Sequence, residues 1–225
     1  MGEAKNRGSF EDRKKNALER NNQSYISNKN FPSIATNYQI IQQPRERLLQ
    51  FTDSISKSLQ DKNYFAALIM ALTLPDICCS LEDENRRTKG KKYANWFTKY
   101  LGDQYKSGIG GQSTETVFLS GEECYALRCA YLHKGFNQIE DESIVQNYTG
   151  VSSRIEFMAE MSSDKLKING VLLLSLENFC QQIIDGIIKW LDDNKTNSII
   201  NERIKEIPVI HTKGFSPIPG VFVEG

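Results

Sequence analysis

The stretch "SGEECYALRCAYLHKG", residues 120–135, decides how the rest of the chain is read. Ser120 and Glu123 stand at the S-x-x-E spacing in which each side chain satisfies an orphan amide of a first helical turn. The spacing predicts a helix that begins at about Gly121 and runs to Gly135. At about 100° per residue, Ala126, Cys129, Ala130 and His133 share one stripe, and Cys124, Leu127 and Tyr131 share the opposite one. The larger side is expected to fill the protomer core. The small-residue side is expected to admit another backbone or a second subunit, with His133 at the edge of the groove. Arg128 lies about 140° around the helix from His133, so its long side chain, or a symmetry mate, must bring guanidinium and imidazole onto one ligand. That is the reason to expect a homodimer. A buried arginine also needs a partner, either a carboxylate such as Glu82, Asp76 or Glu122, or a wet cleft.

Working outward, "PRERLLQFTDSISKSLQD" from Pro44 places Leu48, Leu49, Phe51, Ile55 and Leu59 near helical spacing, with proline at a favourable first-turn position. "NYFAALIMALTLPDICCSLEDEN" is apolar almost all round and predicts a helix at the centre of a bundle, kinked or restarted at Pro75. In "YANWFTKYL" the residues Tyr93, Trp96, Phe97, Tyr100 and Leu101 recur at helical intervals and are expected in the core. "KSGIGGQSTETVF" reads as a loop without the lysine context of a phosphate loop. "SRIEFMAEM" and "DKLKI" predict a hairpin, and "NGVLLLSLENFCQQIIDGIIKWLDD" a long helix buried through Leu172, Leu176, Phe179, Ile183, Ile187 and Leu191.

The chain is therefore expected to be mainly α, a helical bundle over residues 43–206 with a small inserted β-hairpin. It carries a flexible basic and polar N-terminal arm (1–42) and an irregular C-terminal tail (207–225) rich in proline and glycine. Its 225 residues, 39% of them hydrophobic, suit one core with appendages. Lys+Arg and Asp+Glu are equal at 28 each, so affinity for phosphate has to come from a local cluster. The cluster is Arg86–Lys99, which holds six basic residues and no acidic one; Arg86, Arg87, Lys89, Lys91 and Lys92 are the candidate RNA-binding residues.

Five cysteines set mostly in apolar runs read as free thiols in a reducing compartment. The opening residues have no apolar signal core, Asn6 replaces the Ser or Thr of a myristoylation signal, and Glu177, Gln181, Gln182 and Asp185 interrupt the apolar stretch 171–191. A cytoplasmic protein with no membrane partner is expected, in which the sequons at Asn22, Asn147 and Asn194 carry no meaning. "CC" at 78–79 is too tight for a zinc pair and "EDE" at 82–84 reads as a solvated helix end, so no metal and no cofactor are expected.

"CYALRCAYLHKG" resembles the Arg-x4–6-His helix of the HEPN superfamily, and "ALIMALTLPDICCSLE" and "GIIKWLDD" fit the same kind of bundle, so that the resemblance spans about residues 44 to 193. Cys129 stands where many active members have a polar residue. The resemblance implies a compact helical bundle, commonly dimeric, and the metal-independent ribonuclease activity found in many toxin, abortive-infection and CRISPR-associated members. Some HEPN domains only bind partners or nucleotides.

The chemistry agrees with the first reading. RNA is cleaved by its own 2′-hydroxyl when one group takes or relays that proton, another protonates the leaving 5′-oxygen, and a cation stabilises charge at phosphorus. His133 suits the proton work and Arg128 the phosphate. Cys129 and His133, at i and i+4, leave a Cys–His nucleophile as the other enzymatic option, although that spacing in a buried helix more often reflects packing. Two functions are thus expected in competition. One is a metal-independent endoribonuclease in phage defence or a toxin system, acting on RNA and held by a protein partner or antitoxin. The other is a non-catalytic HEPN-like module for protein interaction or nucleotide binding.

Overall fold

The computed structural model describes residues 44–108, 115–161, 163–211, 214–218 and 220–224. The predicted N-terminal arm lies outside them. Helix α1 (Pro44–Gln60) starts at Pro44 as expected and buries Leu48, Thr52 and Ile55. A turn with Lys62 at φ 58 reverses the chain into α2 (Tyr64–Glu82), which continues through Pro75. Helix α2 packs against α1, against α3 (Gly90–Leu101), against α4 (Gly121–Cys129) and against α5 (Leu176–Asp193) and α6 (Ser198–Ile204). It is the axis of the bundle, as its all-round apolarity predicts.

Among the described residues α2 is also the one helix long and apolar enough to cross a membrane, with mean hydropathy 1.7. Nine side chains of α2 are buried by the neighbouring elements.

Tyr93, Trp96, Phe97, Tyr100 and Leu101 of α3 all fall in the core, as the helical spacing of large apolar groups requires. Helix α4 meets α3 at backbone distance, because a Cβ on Gly121 would lie 2.1 Å from the Ala94 carbonyl oxygen. The capping box forms. The Glu123 amide donates to Ser120 Oγ at 3.1 Å and the Ser120 amide to Glu123 Oε2 at 2.8 Å.

Three expectations are corrected. First, β3 (Arg154–Met158) and β4 (Lys165–Ile168) do not pair with each other. Both flank β5 (Val171–Ser175), β3 in parallel and β4 in antiparallel register. The long helix therefore begins at Leu176, and Leu172 is a buried strand residue. A short apolar run such as "VLLLS" has no period that separates strand from helix. Second, the tail contains a hairpin, β6 (Phe215–Ile218) with β7 (Val221–Val223), beyond the short pair β1 (Lys106–Gly108) and β2 (Glu115–Val117). Third, Ala126 and Ala130 are fully buried within the protomer, so the small-residue stripe is used inside one chain and leaves no groove there for a second.

Candidate functional site

Of the three carboxylates named for Arg128, each has a separate partner. Asp76 Oδ2 takes the Arg128 Nε–H at 2.5 Å, Glu82 takes the Trp190 indole N–H at 2.6 Å, and Glu122 takes the Tyr148 hydroxyl at 3.1 Å. Glu82 stands exposed at the last position of α2 while accepting from Trp190, in agreement with the solvated helix end expected at 82–84. Asp76 is the only charged residue of α2 before its last position, Glu82, and its side chain retains 14% exposure against 20% for Arg128. Burial pushes the Asp76 carboxyl above its ordinary value, and the Arg128 guanidinium opposes this without cancelling it.

Arg128 also reaches His133, its Nη1 lying 2.8 Å from Nε2. A regular α-helix would leave the two residues about 140° apart. The chain instead widens after α4 into a π-turn, Ala130–Lys134, in which hydrogen bonds skip one extra residue. The Gly135 amide, at φ 71, donates to both the Ala130 and Tyr131 carbonyls and closes the turn. Each residue of such a turn advances the chain by less than the α-helical 100°, which brings His133 back within reach of the long Arg128 side chain inside one chain. No symmetry mate is needed for that contact.

A guanidinium has only donors. His133 Nε2 is therefore the acceptor in this pair, and the proton of the neutral ring sits on Nδ1. His133 is exposed. Its hydrogen-bond partner is Arg128, whereas Cys129 interacts with Arg128 and with the hydroxyl of Tyr125, pushed up to about 12 by burial and by Cys129. The contacts thus favour an Arg–His pair over the Cys–His option. The four remaining cysteines are free and buried, with burial raising each thiol.

The basic run lies beside this pair. The Thr88 hydroxyl donates to the Asp76 carbonyl at 2.8 Å. Gly90 lies against Tyr125, one turn before Arg128, so closely that a Cβ would come 2.6 Å from the ring. Arg86 forms a two-pronged pair with Glu206 at 2.6 and 2.7 Å, and Lys92 pairs with Asp83. The Lys92 ammonium, joined by the backbone amide of Arg87, lowers the Asp83 carboxyl to about 2. Arg87, Lys89 and Lys91 are exposed and hold no ion pair among the described residues. Among the described residues, no group of three or more His, Cys, Asp or Glu side chains could hold a metal ion. The second histidine, His211, stacks on Phe215 in the tail, with ring centroids 3.7 Å apart.

In comparisons with known proteins, no family model, no curated protein and no solved structure matches this chain.

Proposed function

We propose that the chain is a metal-independent endoribonuclease of the HEPN type, with His133 as the proton-transfer group and Arg128 as the phosphate clamp. One observation carries the reading: the continuous line Asp76–Arg128–His133, with links of 2.5 and 2.8 Å, runs from the edge of the core to an exposed imidazole. Asp76 fixes one edge of the guanidinium, which leaves its remaining N–H groups for two phosphate oxygens. The lone pair on His133 Nε2 is then released to accept the 2′-hydroxyl proton as the 2′-oxygen attacks phosphorus. The 5′-oxygen leaves from the opposite face, where the same ring cannot reach it in the same transition state. A second copy of the chain, with its own His133 as the imidazolium, gives up that proton as the first ring gains one, so the two rings exchange protonation states in the step. This assignment of the acid is what asks for a homodimer. Its contact surface is not the Ala126–Ala130 stripe.

The competing module reading also has an observation in its favour. Arg128 in its pair with Asp76 looks like any satisfied structural arginine. His133 separates the two readings, because an exposed imidazole bonded to a cation adds nothing to a core.

Incubation of the purified chain with single-stranded and structured RNA in excess chelator tests the reading. The expected products end in a 2′,3′-cyclic phosphate, and His133→Ala makes none. Cleavage that depends on an added divalent metal, or that survives His133→Ala, overturns the mechanism. A defence or toxin role predicts growth arrest on expression, relieved by the same substitution.

A further inference from the structure

The basic run 86–92 separates into anchors and free cations by alternate position. Arg86, held at φ 55, is fixed by Glu206; the Thr88 hydroxyl is fixed by the Asp76 carbonyl; Gly90 is fixed by the face of Tyr125; and Lys92 is fixed by Asp83. The residues between them, Arg87, Lys89 and Lys91, are exposed and hold no ion pair among the described residues. The backbone over 86–89 is in neither helix nor strand, and Lys89 is extended at φ −117, ψ 149. Extended backbone sends successive side chains to opposite sides. Over 87–89, turning Thr88 toward the protein therefore turns Arg87 and Lys89 toward solvent, and Lys91, in the first turn of α3, is exposed as well.

Three like charges on a pinned segment repel one another, and among the described residues none of the three holds an ion pair that offsets this. Alternate residues of an extended chain lie about 6.6 Å apart, which sets Arg87 and Lys89 near the separation of successive backbone phosphates, and Lys91 continues the row at the start of α3. The anchors also locate the row. The carbonyl that holds Thr88 belongs to Asp76, whose carboxylate holds Arg128.

We propose that Arg87, Lys89 and Lys91 form a row that takes the backbone phosphates of a single-stranded RNA running past the Arg128–His133 pair, and that Arg86 and Lys92 are struts. The identity of the strand rests on the nuclease reading.

The test measures binding of a short labelled oligouridylate across a salt series, using the full chain with His133→Ala so that the probe is not consumed. Replacing Arg87, Lys89 and Lys91 together by Gln should weaken binding and reduce the slope of log K against log salt by about 2, from ~0.7 per single-strand phosphate contact. Replacing Arg86 and Lys92 by Gln should leave the slope unchanged and lower the melting temperature. An unchanged slope in the triple variant, or an equal loss in the strut variant, overturns the row. Duplex RNA bound as tightly as the single strand overturns the strand preference. The parent chain's cleavage, assayed separately, keeps the two readings apart. Absence of cleavage with the slope effect intact removes the nuclease and leaves the row, whereas cleavage with no slope effect removes the row and leaves the nuclease.

Discussion

At the first turn of α4, Glu123 is 4% exposed, and its two oxygens take the Ser120 amide at 2.8 Å, the Ser120 hydroxyl at 3.0 Å and the Ser152 amide at 2.8 Å, with Lys167 at 3.7 Å. At the other end of the same helix Arg128 spends one N–H on Asp76 and one on an exposed histidine, and retains donors for something else. The carboxylate is saturated by its own chain and can do nothing further. The guanidinium is held but not saturated. A group whose hydrogen-bonding capacity is spent inside the protein has none for a ligand, whereas Arg128 keeps the donors that the proposed phosphate clamp requires.

The widest break in this comparison is expected at Ala130, where the helix passes into the π-turn. Its side chain is fully buried. Ala130→Arg would place a cation with no partner in the core, which costs several kcal/mol out of a total stability of about 5–15 kcal/mol. Circular dichroism should find an unfolded or insoluble protein. A soluble, cooperatively melting variant would mean that this face of the helix is open after all. Glu123→Ala should come next. It removes the cap and leaves the Ser120 and Ser152 amides without an acceptor, a loss of about 3 kcal/mol, read as a lower urea midpoint. A loss confined to a few tenths would show that the closed end is not closed.

These two ends were unequally legible in the sequence. The capping box was plain because both partners are local, three residues apart. The core aromatics of α3 were plain because their helical spacing is a property of one segment. Asp76 could be named only as one of three carboxylates, since nothing in a linear pattern chooses among acids on another helix. A lone charge inside an apolar run is the signal that could have favoured it. The Arg128–His133 contact was left open between a long side chain and a symmetry mate, because the π-turn that brings His133 back toward Arg128 leaves no mark in residue type. Strand β5 did leave one. Asn169–Gly170, at φ 49 and 78, makes the two-residue turn that joins β4 to β5, and an Asn-Gly pair is a strong hairpin signal. The apolar run after it was absorbed into the following helix. The division of the basic run into struts and free cations could not be read at all, because the partner of Arg86 lies 120 residues away.

Asp76→Asn should have a smaller effect on stability and a larger one on reactivity. Asn keeps the shape but loses the charge that orients Arg128, and a misplaced clamp lowers cleavage by about 10²-fold. The pH dependence has a definite sign. Because burial raises the folded-state value above the ordinary 3.8, the stabilising contribution of Asp76 is full below that value and is lost as pH rises through the raised one. The melting temperature of the parent should therefore fall across that window relative to Asp76→Asn, which cannot titrate there. Parallel curves would mean that Arg128 fully compensates the buried carboxylate.

The smallest effect on stability, and the one that decides most, is expected at His133. The imidazole is exposed and its recorded hydrogen-bond partner is the Arg128 guanidinium. A guanidinium already paired with Asp76 gains little from a neutral acceptor at its solvent side. Gln offers an oxygen in place of Nε2 but cannot carry a proton in the neutral pH range. His133→Gln should change stability by no more than about 0.5 kcal/mol, while removing proton transfer worth about 10²–10⁴-fold in rate. A melting temperature unchanged alongside lost cleavage places His133 with the unsaturated end of the helix. A large drop in melting temperature with RNA binding and cleavage intact would make it a second Glu123, closed and structural, and the nuclease reading would go with it.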